Sequence, residues 1–166
     1  VRGPLYLGRA LASQHKFAEA RKVLQAGAKH FPNTPDLLAT LAQVRADDGD
    51  ENGSVAAWRA AIASAPDNLE GGLPAAQMNI DYGKQLMADK KYTEAMTAFR
   101  NATRLFPREE APSDLLVMAA MHAGNDKAAI NELRRSLKVD PKRDEARRTL
   151  GHYLAAWGDM AGAQRE

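Results

Sequence analysis

Cysteine is absent from the 166 residues, which rules out disulfides, thiolate metal sites and cysteine nucleophiles and leaves the compartment open. Opposite charges nearly cancel, with 23 Lys and Arg against 21 Asp and Glu. The chain as a whole therefore makes no electrostatic case for nucleic acid. No run of 18 or more apolar residues occurs, so no transmembrane helix is expected. Catalytic signatures are missing too. The four histidines, His15, His30, His122 and His152, have no His-Glu-x-x-His spacing. There is no phosphate-binding Gly-x-x-x-x-Gly-Lys and no Gly-x-Ser-x-Gly elbow. These absences argue against an enzyme, and no cofactor, metal or small-molecule substrate is expected. Aromatic residues are scarce at 6%, whereas apolar residues reach 45% and alanine is abundant, a balance that favours helices around a real core.

What is present is a period. Pro32, Pro66, Pro107 and Pro141 each close a segment, at separations of 34, 41 and 34 residues. Twelve residues before each proline stands a small residue: Ala20, Ser54, Ala95 and Ala129, continued by Ala163. Four residues after the small one comes a bulky apolar residue: Leu24, Trp58, Phe99 and Leu133. Twelve before it stand Gly8, Ala42, Gly83, Val117 and Gly151, preceded by Leu7, Leu41, Tyr82, Leu116 and Leu150. Apolar residues at three- and four-residue spacing in "YGKQLMADKKYTEAMTAFRNATRLF" give the period of amphipathic helices.

These landmarks resemble the tetratricopeptide repeat (TPR) family, whose 34-residue unit is a pair of antiparallel helices. The resemblance covers nearly the whole chain and implies an all-α, right-handed superhelical solenoid of about five repeats. The expected units are 1–34, 35–68, 76–109, 110–143 and a partial 144–166, with an insertion at 69–75. The family's aromatic at the fourth position is replaced throughout, by Pro4, Leu38, Asn79, Ser113 and Arg147. Val117, Arg45 and Ala120 are further departures. Small residues such as Gly8 and Ala20 are expected to let paired helices approach, with Leu7, Leu24 and their counterparts filling the space between helices and units. The closing prolines should end each second helix, and Pro4 and Pro112 should sit in first helical turns.

Residues 47–53, DDGDENG, have the opening spacing of a calcium loop. Such a loop beginning at Asp48 requires a glutamate at its twelfth position, and that position is Arg59. On the repeat, Gly49 instead falls at the turn between two helices, matching Gly124 and Gly158. Asp50 is then expected to cap the second helix, as Asp126 and Asp159 would in their units. The insertion "LEGGLPA" reads as a longer surface loop, or as a change of angle between two halves.

The resemblance implies that first helices line a curved inner surface that takes an extended peptide or helix of a partner protein. Residue by residue, the facing positions include Arg9, Gln43, Ala39, Lys84, Ile80, Met87, Asp114, Met118, Met121, His122, Arg148 and His152. Methionines at 87, 118 and 121 are suited to varied apolar side chains, or else pack between units. The cationic clamp that one TPR subclass uses on chaperone termini is not expected, since Leu5, Arg9, Thr40, Gln77 and Asp81 occupy its positions.

Charge is uneven. Residues 1–34 carry six basic residues and one acid, and residues 35–68 carry two and six. The block 134–148 holds seven basic residues and three acids. That block alternates with acids and lacks interleaved aromatics, so a solvated face is favoured over an RNA site. Opposite charges on neighbouring units hint at end-to-end association. Because the fifth unit stops inside a repeat, the sequence reads as part of a longer array or multidomain protein. The expected role is a protein–protein interaction scaffold, in style similar to bacterial repeats of secretion, polysaccharide-export or envelope-assembly machinery, in the cytoplasm or periplasm. The alternative is a regulatory or substrate-recruiting segment fused to an enzyme such as a glycosyl- or sulfotransferase.

Overall fold

The computed structural model describes residues 2–65 and 75–156. These residues form helices α1 (Arg2–Ser13), α2 (Phe17–His30), α3 (Pro35–Asp47), α4 (Glu51–Ser64), α5 (Ala75–Ala88), α6 (Tyr92–Leu105), α7 (Glu110–His122), α8 (Asp126–Val139) and α9 (Asp144–Ala156), with no strand among them. Pro66, Gly158, Asp159, Ala163 and all of the 69–75 insertion except Ala75 lie outside the described residues. The chain divides into two compact units, Val1–Met78 and Asn79–Glu166.

Successive helices pack as antiparallel neighbours because short turns join them: α1 on α2 and α3 on α4 in the first unit, α7 on α6 and on α8 in the second. The repeating small residues make the packing possible. Ala20, Ser54, Ala95 and Ala129 are each fully buried, and Leu24, Trp58, Phe99 and Leu133 fill the cores beside them. At Gly8 a Cβ would lie 2.5 Å from Leu24 Cδ2, and at Gly83 it would lie 2.5 Å from Phe99 Cε1. Only glycine lets those helix pairs approach so closely. Leu7 departs from expectation. Its counterparts Leu41, Tyr82, Leu116 and Leu150 are buried, but Leu7 itself is 52% exposed. Leu41 lies on α3, which packs against both α1 and α2, whereas no earlier helix pair covers α1 among the described residues.

The helix ends follow the local chemistry. Pro32, Pro107 and Pro141 stand just beyond the last residues of α2, α6 and α8, where a missing N–H can no longer break the ladder. Pro35 opens α3, and Pro4 and Pro112 lie in the first turns of α1 and α7. Gly49 turns with φ of +80° and Gly124 with +65°. Asp50 caps α4 as expected, its Oδ1 accepting from Gly53 N at 2.9 Å. In the fourth unit the expectation of Asp126 is corrected: Asn125 is the cap and accepts from Ala128 N at 3.1 Å, following Gly124 as Asp50 follows Gly49.

The DDGDENG stretch is thus a helix–helix turn with its acids committed. Asp48 pairs with Arg21 of α2 at 2.8 Å. Besides capping α4, Asp50 lies 3.7 Å from Arg45 Nε, while Arg45 Nη1 donates to Gly53 O at 2.8 Å. The arginine at that unusual position ties α3 to the start of α4. No group of three or more potential metal ligands occurs among the described residues.

Candidate functional site

Helix α7 is two-faced. Leu116, Val117, Ala119 and Ala120 are buried, while Met118 and Met121, three residues apart and so on one stripe, are 45% and 52% exposed. Scattered exposed apolar residues are ordinary, but two long thioether side chains side by side form a small adaptable patch. Met121 forms one wall of a cleft of about 640 Å³ whose other wall is α9, through Glu145, Arg148, Thr149, His152, Tyr153 and Ala156. The opening is therefore amphipathic, with thioether, phenol ring and alanine methyl beside a guanidinium, an imidazole and one carboxylate. Burial is the main cause that pushes the Tyr153 phenol above its ordinary pKa, and the negative charge of Asp126 adds to it.

The structure brings together three of the sequence candidates, Met121, Arg148 and His152, and places Met118 one turn away along α7. The methionines at 118 and 121 are open rather than packed between units; Met87 is half-buried on α5 and Lys84 is exposed there. His122 stacks on Tyr92, ring centroids 5.1 Å apart, at the end of α7. Asp114 is exposed, but its carboxylate accepts from Arg143 Nη2 at 2.6 Å and is not a free charge. Arg9 donates to Thr40 at 3.4 Å, and Gln43 to Asp47 at 2.9 Å, in the first unit. Ile80 and Ala39 are buried, in contrast to the facing role that their repeat positions implied. Thr149 and Tyr153 were not singled out by repeat register. A stripe at four-residue spacing, Glu145–Thr149–Tyr153, contains them and was the available signal.

Three of the seven basic residues in the block 134–148 are held in internal pairs. Arg135 grips Glu132 through Nε and Nη2, with contacts from 2.6 to 3.0 Å. The nearly buried Arg143 binds Asp114, Ser136 and, at 3.6 Å, Glu110. Arg147 holds Asp144 at 2.9 Å. Arg143, in the turn before α9, ties α7 to α8, whereas the other two pairs lie within α8 and within α9. No helix among the described residues is long and apolar enough to cross a membrane.

A family model described as tetratricopeptide repeat matches residues 5–44. No curated protein sequence matches the chain. Solved structures match over nearly its full length. One is MamA, at a TM-score of 0.64 and 16% identity, covering 95% of this chain and 88% of that one. Another is PilF of Pseudomonas aeruginosa, at 0.61 and 19%, covering 99% and 72%. A third is YrrB, described as a TPR protein with an unusual peptide-binding site, at 0.63 and 12%, covering 96% and 79%. The repeating small residues, the paired helices and these matches together make the fold that of the tetratricopeptide-repeat proteins.

Proposed function

We propose that the chain is a protein–protein interaction scaffold and that the face shared by α7 and α9 receives an extended peptide or a helix of a partner protein. The observation that carries this reading is the exposure of Met118 and Met121 beside a cleft that also holds Arg148 and His152. With Asp114 neutralised by Arg143, Glu145 is the one acid lining the opening. An apolar side chain flanked by acids suits that surroundings. The peptide-binding description of YrrB, a protein of the same fold, supports the reading. The repeat boundaries 1–34, 35–68, 76–109, 110–143 and 144–166, and a role in bacterial assembly machinery, belong to the same proposal.

Peptides selected from a random display library against the chain test it. Selected sequences should pair a bulky apolar residue with acids, and binding should fall by about tenfold or more in Met121→Glu and in Arg148→Glu. Lys127→Glu, exposed on α8, should bind as the parent does. Affinity that survives both cleft substitutions would place the site elsewhere.

A further inference from the structure

A second cleft, sharing no residue with the first, lies between α6 and α8 and encloses about 550 Å³. Its walls are two matching helical stripes. Arg100, Thr103 and Arg104 come from α6 and Pro107 from the turn just beyond it; Ala128, Asn131, Glu132 and Arg135 come from α8. Both follow the i, i+3, i+4, i+7 spacing that brings side chains to one helix face. Both helices pack on α7, and Leu116 of α7 supplies the floor.

Three guanidinium groups converge on this space. Arg100 and Arg104 are exposed, one helical turn apart, and neither forms an ion pair among the described residues. Arg135 is held in place from behind. Glu132, only 7% exposed, accepts from Ser113 Oγ at 2.7 Å and from Nε and Nη2 of Arg135. That carboxylate is thus occupied, and the Nη1 edge of Arg135 is not used by it. The one acid of the cleft has its charge matched by Arg135, which leaves two uncompensated guanidinium charges beside the amide of Asn131.

We propose that this cleft binds a small ligand bearing phosphate groups. Planar guanidinium forks match the geometry of phosphate oxygens and bind them through paired, charge-assisted hydrogen bonds. The volume exceeds that of a lone phosphate and lies in the range of small-molecule sites. Leu116, Pro107 and Ala128 offer an apolar floor and rim for the remainder of such a ligand. Glu132 acts as a positioning residue, since it orients Arg135 without facing the anion through a free charge.

Calorimetric titration of the chain with inorganic pyrophosphate at fixed ionic strength tests the assignment, with citrate as a carboxylate probe of comparable charge. Saturable one-to-one pyrophosphate binding is expected, weakened by about tenfold or more in the Arg100→Gln, Arg104→Gln double variant. Both arginines are exposed, so this variant should keep its helical circular dichroism. Arg59→Gln, an exposed arginine of α4, and Met121→Glu, in the other cleft, should both bind pyrophosphate as the parent does. Absence of saturable binding, or equal weakening by Arg59→Gln, would overturn the site. Citrate binding more tightly than pyrophosphate would overturn the choice of phosphate. Since Met121→Glu reads the peptide face and the double variant reads this cleft, failure of one proposal is distinguishable from failure of the other.

Discussion

Gly83 shows how tightly single residues constrain the packing. A Cβ there would meet Phe99 Cε1 at 2.5 Å and Cδ1 and Cζ at 2.8 Å, and Phe99 is fully buried, so the ring has no room to swing aside. Gly83→Ala gains up to about 1 kcal/mol in helix propensity but forces an overpacked contact that costs about 1–3 kcal/mol. Net destabilisation is expected in urea melts. In a Phe99→Ala background the struck ring atoms are gone, so the same substitution should become neutral or stabilising. An unchanged penalty in that background would show that the clash is not its origin. Gly8 against Leu24 is a milder version, because a leucine side chain has rotamers to exchange and a ring does not.

At the scale of elements, each helix pair turns through one left-handed residue, and only two of the four are glycine. Gly49 and Gly124 have φ of +80° and +65°; His15 and Lys90 occupy the same register at +58° and +59°. An L-residue there pays about 1–2 kcal/mol, whereas glycine costs about 0.4–1 kcal/mol through the freedom it gives the unfolded chain. Lys90→Gly should therefore raise stability by up to about 1 kcal/mol, and Gly124→Ala should lower it by a similar amount. Opposite shifts of the denaturation midpoint check this; two shifts of the same sign would contradict it. These turns also mark what the sequence could and could not reveal. Pro32, Pro107 and Pro141 located helix ends because a missing N–H acts locally, and the glycines at 49 and 124 located turns for the same kind of reason. His15 and Lys90 carried no such signal, since nothing in a lysine announces a positive φ. Likeness to Asp50 favoured Asp126 over Asn125 as a cap, but both side chains can accept the bond, and it is Asn125 that follows Gly124 as Asp50 follows Gly49. Met118 and Met121 are exposed at the ninth and twelfth positions of their unit, but Ile80 and Ala39 are buried at the fifth position of theirs, where apolar character prevailed over register. Arg143 is illegible in the sequence: its burial depends on Asp114, Ser136 and Glu110 meeting from separate helices.

For the whole molecule, a repeat architecture makes stability a sum of local terms with nearest-neighbour coupling. Each compact unit owns a large buried aromatic: Trp58, 3% exposed, in the first and Phe99, fully buried, in the second. Phe99→Ala removes a core ring and should cost about 3–5 kcal/mol. In a globule with one shared core that loss would be felt by every amide that exchanges through global unfolding. Here it should fall mainly on the unit that contains it. Amide exchange in α6, α7 and α8 should accelerate strongly, while α1, α2 and α3, which pack on one another around Leu24 and Leu37, should retain most of their protection. Trp58→Ala should give the reverse pattern, sparing α7 and α8. Hydrogen exchange followed by mass spectrometry on both variants reads this directly. Uniform acceleration across the chain in both would mean that the two units unfold as one cooperative body, and that the additive picture fails for this array.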